Sequence, residues 1–334
     1  MMRMKNMILA AALVFALAAC GKEASEGKND DAKKEFDAWI AKYHPGIQPT
    51  ALGSYILEEV EGTGAPVADS AYVRVRVTAT RLDSTVFTTT EERVARQLGQ
   101  YSKANYYGPT VWRLSDNGLY AGLEELVKKM KIGGAMTAVI PGWLNTFNRY
   151  SSPEKYIQKA SGNDYIFSFR IVDAFDDADR WETDSLSRFL AANYPNAVKD
   201  TTVEGFWHVV LEPGRAGEKY MADSTFYIDY VGSRLDGTIF DTNLADSAKV
   251  AGLYSVDKSY DSHRIYLDDK DYTKNTLGGS SVIGGFARGL AILPPEGRIL
   301  CFFTSSNGYA ASGSGSIIPA FCPLCFEIID TEED

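Results

Sequence analysis

Cysteine is the first residue type to weigh as chemistry, and the chain has four, Cys20, Cys301, Cys322 and Cys325. Cys322-Pro323-Leu324-Cys325 has the spacing of a thiol redox pair. Such pairs need the start of a helix, where the dipole lowers a thiol pKa. Here the pair opens an apolar, strand-like run over 324–329, and residues three apart on a strand face opposite sides. The pair is therefore expected to be buried structural thiols. Two alternatives stay open, a thiol redox protein and one disulfide from Cys301 to Cys322 or Cys325 in an oxidising compartment. Zinc would need further ligands, and His44, His208 and His263 are scattered. No Ser/His/Asp or Cys/His arrangement stands out. No metal or cofactor is expected, so any chemistry falls to aromatic, aliphatic and backbone groups.

Arg3 and Lys5 precede an unbroken apolar run over 7–19, which ends in Leu17-Ala18-Ala19-Cys20. A basic start, a short apolar stretch and small residues before a cut describe a secretory leader. The run is too short for a bilayer core, which takes about 20 residues. Together with Cys20 it resembles the bacterial lipobox, which implies acylation of the Cys20 thiol. From Gly21 to about Lys33 the chain is polar and small, a flexible tether. Lys22-Glu23 reads either as plain spacer or as a surface-sorting signal. With 34 Lys+Arg against 44 Asp+Glu, the chain carries a formal charge of −10. That balance argues against nucleic acid as a partner and against docking on anionic lipid.

The elements that must position any site repeat along the chain. Residues 36–45 are echoed by 186–195, and both read as amphipathic helices stopped by Pro45 and Pro195. A glycine and an apolar strand follow each, over 53–60 and 205–211. Ala68-Asp69-Ser70 returns as Ala222-Asp223-Ser224, and residues 82–87 return as 235–240. Alternating strands are expected over 72–77 and 226–230, with a two-residue hairpin turn at Asp236-Gly237. Leu123, Leu126, Val127 and Met130 share one helical face, as do Phe286, Leu290 and Leu293. Final strands lie over 165–172 and 324–329. Several antiparallel strands and one short helix make an α+β unit, whose curved sheet must cover the helix. The expected order is a leader (1–19), acylated Cys20 and tether (20–33), a first unit (34–176), a linker helix (177–202) and a second unit (203–334).

The second unit resembles the FKBP family of peptidyl-prolyl isomerases in four motifs, kept in order. Tyr230-Val-Gly-Ser-Arg-Leu-Asp-Gly-Thr-Ile-Phe240-Asp241 is similar to Y-x-G-x-L-x-D/N-G-x-x-F-D. Val282-Ile283-Gly284-Gly285-Phe286, running on to Gly289-Leu290, is similar to V-I-x-G-W/F-x-x-G-L. Asn307-Gly308-Tyr309-Ala310-Ala311-Ser312-Gly313, then Ile317-Ile318-Pro319, is similar to A-Y-G-x-x-G…I-P. Leu324-Cys325-Phe326-Glu327-Ile328 is similar to L-x-F-x-V/I.

The resemblance implies an antiparallel sheet wrapped over a short helix, with an apolar pocket between them. It implies catalytic roles for Tyr230, Phe240, Asp241, Tyr309 and Phe326, and substrate contacts for Val282, Ile283, Phe286, Ile317 and Ile318. The Tyr309 hydroxyl and the Ile283 N–H would bond peptide carbonyls. Three features depart from the pattern: Ala310 replaces a glycine, Pro294-Pro295 lengthens a turn, and residues 242–281 carry an insertion. Tyr266 is the candidate for the remaining pocket aromatic.

The first unit has Val77 for Tyr230, Thr88 for Asp241, Tyr120 for Ile283 and Leu123 for Phe286. It is expected to be the same fold with a degraded pocket, serving as spacer, dimer surface or chaperone platform. The expected function is a lipid-anchored prolyl isomerase and foldase, active in the second unit on proline-containing clients. The expected location is the cell envelope, anchored to the outer membrane on its periplasmic face or at the cell surface. The alternative is a non-catalytic binding or chaperone subunit of an outer-membrane protein assembly.

Overall fold

The computed structural model describes residues 29–215, 217–221, 224–268 and 270–333. The leader, Cys20, most of the tether and the Ala222-Asp223 part of the repeat lie outside the described residues.

The first unit opens with α1 (Asp30–Tyr43), where Asp30 and Asp31 face the positive end of the helix dipole. It buries Phe36 and Ile40, four residues apart on one face. Strands β1 (Tyr55–Val60), β2 (Tyr72–Thr80) and β3 (Val86–Thr89) follow, then α2 (Glu92–Gln97) and β4 (Thr110–Arg113). The central helix α3 (Ala121–Val127) leads to β5 (Ala135–Ile140), α4 (Pro153–Lys159) and β6 (Tyr165–Phe175). The second unit begins with α5 (Ala178–Asn193) and the short β7 (Val198–Lys199). Then come β8 (Phe206–Glu212), β9 (Thr225–Arg234), β10 (Ile239–Thr242) and α6 (Ala245–Ala251). It closes with β11 (His263–Tyr266), β12 (Thr276–Leu277), β13 (Ser280–Ser281), α7 (Gly284–Ile292), β14 (Arg298–Phe303) and β15 (Leu324–Thr331).

The two sheets have one topology. The first runs β1-β5-β6-β2-β3, with β4 also on β2; the second contains β8-β14-β15-β9, with β10 and β11 both on β9. Every pairing is antiparallel. The opening helices also end alike. His44 N–H and Tyr194 N–H close the last turns on Ile40 O and Leu190 O at 2.8 and 2.7 Å, and each is followed by proline. The α+β class and the tandem repeat are thus as the sequence indicates.

The β2–β3 and β9–β10 turns match as well, but they are three-residue turns and not the two-residue hairpin expected. Arg234 N–H bonds Thr238 O at 3.0 Å, with Gly237 at φ +81°. Arg81 N–H bonds Thr85 O at 2.8 Å, with Ser84 at φ +70°. A left-handed third residue is what this turn length demands.

In each unit the central helix lies against the inner face of the sheet. Leu123, Leu126 and Val127 of α3 are buried with Val73, Val75 and Ile171. Phe286 and Leu290 of α7 are buried with Ile228, Ile299 and Ile328. Burying each such side chain stabilises by about 1.5–3 kcal/mol. The helix α7 comes unusually close. A Cβ on Gly285 would lie 2.3 Å from the Phe303 ring, and one on Gly289 2.7 Å from Cys301 Sγ.

The segment 177–202, expected as a linker, is packed onto the second unit. Asp177 caps α5 by accepting the Arg180 N–H at 3.0 Å. Leu186 and Leu190 then cover Trp207, Val209, Leu300, Phe302 and Cys325 on the outer face of the sheet.

Cys301, Cys322 and Cys325 are free thiols. Cys301 lies in the inner core and Cys325 on the outer face, so the sheet itself separates that pair. Burial pushes all three thiol pKa values up, to about 12 for Cys322 and for Cys325. A redox pair needs the opposite shift.

Candidate functional site

The site forms where the end of β9, strand β10, the start of α7 and the loop before β15 meet. β9 alternates, which puts Ile228, Tyr230 and Gly232 on its inner face. The register of β10 on β9 slips between Ile239 and Asp241, leaving Phe240 as an extra residue. Such a bulge re-aims side chains, so the neighbours Phe240 and Asp241 both serve the same end of the sheet.

Tyr230 Oη donates to Asp241 Oδ2 at 2.9 Å, and Lys258 Nζ donates to Asp241 Oδ1 at 3.1 Å. Burial and then the Asp241 charge raise the Tyr230 pKa, which holds its hydroxyl as a donor. Two buried polar residues brace the tyrosine from behind. Thr242 Oγ1 donates to Tyr230 O at 2.7 Å, and Asn243 Oδ1 accepts the Tyr230 N–H at 2.8 Å.

Phe326 is the hub of the aromatic group. Phe286 meets it edge-on at 5.0 Å between centroids, Phe240 at 5.6 Å, and Phe303 stacks on it at 5.8 Å. Gly232 makes room, since a Cβ there would lie 2.7 Å from Phe326 Cε1 and 3.0 Å from Phe240 Cε2. Ile283 is the residue before the first turn of α7, with extended φ and ψ of −64° and 149°. Its N–H belongs to the set that no helix satisfies internally. Tyr309 follows a single 3-10 turn, Ser305–Asn307, and is half-buried. Burial first, and the Asp241 charge second, raise its pKa.

These groups enclose a cavity of about 200 Å³ lined by Tyr230, Asp241, Leu277, Ser281, Val282, Ile283, Phe286, Tyr309 and Phe326. Seven of the residues named from the sequence are therefore together. Three stand back from the lining. Phe240 supports Phe326 from behind, Ile318 is buried in the core beneath the loop, and Ile317 packs on that core. Tyr266 is not a pocket aromatic: it is 43% exposed and pairs with Thr225 at the far end of β9. The ring of that strand which meets Tyr230 is His263, at 5.9 Å. Leu277 and Ser281 come from the β12–β13 hairpin inside the 242–281 insertion.

Among the wider hollows, two of about 340 and 380 Å³ lie on the outer face of the first sheet and in the cleft between the units. They carry charged side chains such as Arg76, Glu91 and Arg170, or Glu92, Lys103 and Asp236, beside Phe169 or Tyr101 and Tyr107, rather than the four rings that line the smaller cavity.

The first unit has no counterpart of the Tyr230–Asp241 pair. Val77 and Leu123 are buried in its core, and Phe87 is 54% exposed against Tyr165. Tyr120 precedes α3 as Ile283 precedes α7. In place of the Tyr309 loop, a turn buries Trp143 and Leu144 and α4 follows.

No family model and no curated protein sequence matches the chain. Solved structures do. The three FKBP domains of wheat FKBP73 are similar over 84% of this chain and 94% of that one, at 14% identity and a TM-score of 0.30. A peptidyl-prolyl cis-trans isomerase from Pseudomonas syringae pv. tomato is similar over 47% of this chain and 96% of its own, at 23% identity and TM-score 0.31. FkpA from Escherichia coli is similar over 51% of this chain and 70% of its own, at 23% identity and TM-score 0.30.

Proposed function

We propose that the second unit is a peptidyl-prolyl cis-trans isomerase of the FKBP type, acting on proline-containing segments of client proteins. The observation that carries this reading is the cavity itself. A small, open, aromatic hollow is floored by Phe286 and Phe326 and rimmed by two donors, the Tyr309 hydroxyl and the Ile283 N–H.

Rotation about an X-Pro bond faces a barrier of about 18–20 kcal/mol, because amide resonance must be broken. A twisted amide has less charge separation than a planar one. An apolar surface around the prolyl ring therefore favours the twisted state over the planar state. Tyr309 and Ile283 donate to peptide carbonyls on either side and fix them while the bond turns. Asp241, oriented by Tyr230 and balanced by Lys258, puts a fixed carboxylate at the cavity edge. No bond is made or broken, so no nucleophile is needed.

The chain is proposed to work in the cell envelope, tethered through an acylated Cys20. The apolar run over 7–19 and the small residues before Cys20 support this. A Cys20→Ser chain that still fractionates with membranes would remove the anchor from the reading. The isomerase test is a protease-coupled assay of the full chain on an X-Pro peptide. A rate above the uncatalysed background is expected. A folded chain giving only the background rate would sink the enzyme reading and leave a non-catalytic binding module.

A further inference from the structure

We propose that Arg234 is a positioning residue through which the first unit holds the pocket loop of the second. The consequence for turnover rests on the isomerase reading above; the placement of the loop does not.

The loop from Tyr309 to Leu324 carries Ile317 and Ile318 and borders the cavity. Its middle, Ser312-Gly313-Ser314-Gly315-Ser316, is small and glycine-rich, with Gly313 and Gly315 at φ +60° and +54°. Such a segment loses much backbone entropy when ordered. Within the loop, Ser314 and Ile318 exchange backbone hydrogen bonds at 2.7 and 3.1 Å. Tyr309 O also accepts the Ser312 and Gly313 N–H groups, and Ala310 O the Phe321 N–H, while the carbonyls of Ser316 and Ile317 are met from outside the loop.

Arg234 ends β9 and is 4% exposed. Its Nη1 donates to Ile317 O at 2.6 Å and to Ala104 O at 3.1 Å, and its Nη2 donates to Asn105 O at 3.4 Å. One guanidinium thus joins a carbonyl of the pocket loop to two carbonyls of the first unit. The Tyr106 ring lies over it at 5.3 Å. Around this point, Tyr106 N–H donates to Ser316 O at 2.8 Å, and Ser316 Oγ donates to Asn105 Oδ1 at 2.9 Å.

A buried guanidinium is costly unless its donors are met. Within the second unit Arg234 finds Ile317 O and, at 3.4 Å, Asp236. The segment Ala104–Tyr106 completes the set. The turn alone does not require this arrangement. Arg81 holds the same place in the first unit, is exposed, and among the described residues meets its own turn, at Thr85 and Asp83, and the face of Phe87. The first unit has lost the pocket residues but supplies the wall against which the working loop is set.

The test uses the full chain and the variants Arg234→Ala, Arg234→Lys and Tyr106→Ala, with Arg81→Ala as control. Amide hydrogen exchange over 314–321 is measured beside kcat and KM for an X-Pro peptide. Exchange over 314–321 is expected to rise about tenfold in Arg234→Ala and Tyr106→Ala while β14 and β15 stay protected. Arg234→Lys recovers part of the protection, because an ammonium keeps the charge but lacks the wide planar fork that spans carbonyls on two segments. With turnover present, KM rises several-fold and kcat changes less; Arg81→Ala changes nothing. Unchanged exchange over 314–321 in Tyr106→Ala overturns the proposal, and that variant leaves the buried arginine in place should Arg234→Ala not fold. If the wild-type chain shows no turnover, the isomerase reading fails while the exchange comparison still decides the role of Arg234.

Discussion

Ala310 has φ +48°, a left-handed conformation that costs an L-residue roughly 1–2 kcal/mol. The loop enforces it, because Ala310 N–H bonds Ser305 O at 2.8 Å and Ala310 O accepts the Phe321 N–H at 2.9 Å. Ala310→Gly is expected to stabilise the chain by about 1 kcal/mol in urea denaturation, and Ser84→Gly at φ +70° to do the same in the first unit. The pocket residues make a second prediction. Tyr309→Phe should lower kcat/KM about fivefold, the worth of one hydrogen bond near 1 kcal/mol. Phe240→Ala should lower it by a similar factor through Phe326, whose ring it backs; two unchanged rates would mean the cavity is not where the bond turns. Tyr230, Asp241, Ile283, Phe286, Tyr309 and Phe326 were legible in the sequence because each sits in a contiguous motif. Gly232 was in plain view within the first of these. His263, Leu277 and Ser281 were not, because their place depends on how β11 registers on β9 and on a hairpin folding back from the insertion. Tyr266 has the right chemistry but lies three residues along that strand from His263, at a different point of β9.

Among the elements, α5 changes meaning most. Its apolar spacing marked a helix but could not say what it covers, since only the sheet's outer face decides that. Once packed, it also reaches the site. The Glu182 carboxylate, fully buried, accepts the Ser305 N–H and Oγ–H at 2.7 and 2.6 Å. Ser305 O in turn accepts the N–H groups of Gly308 and Ala310, on either side of Tyr309. Leu186, also fully buried, should cost about 2–5 kcal/mol as Leu186→Ala. The turn after β7 ties to α7 through Asp200, which meets Arg288 at 2.7 Å. Burial alone would raise the Asp200 carboxyl, but hydrogen bonds from Thr202, Arg288 and Val203 hold it far below the usual carboxylate range. A depressed folded pKa gives stability that is present above the unfolded value, near 3.9, and lost as pH falls below it. Asp200→Asn should therefore cost about 2 kcal/mol at pH 7, and the gap from wild type should close as the pH is taken below about 4. A gap that is constant with pH would mean the charge of Asp200 contributes nothing.

At the scale of the whole molecule, the two units are one design used twice, and beyond the pocket itself they also differ at their junction. The repeat was legible because turns, helix ends and strand alternation are local. The junction was not, because Arg81 and Arg234 both open an Arg-Leu-Asp turn, and what comes to meet each arginine is set by distant parts of the chain. The thiols offer a way to follow this. Cys322 borders the junction, where the Arg234 charge draws its pKa down by less than burial raises it, leaving it at about 12. Cys325 is held at about 12 under α5, and Cys301 is fully buried beneath α7. At pH 8 a thiol of pKa near 12 is about one part in ten thousand thiolate, so reagents that need thiolate should scarcely react with these three cysteines in the native chain. Labelling of Cys301 and Cys325 is then expected to follow global unfolding of the second unit as urea is raised. Labelling of Cys322 should respond to the junction as well, rising first in Tyr106→Ala with the other two unchanged. If all three accelerate together, the junction and the core open as one cooperative unit, and the first unit then stabilises the second as a whole rather than its pocket loop alone.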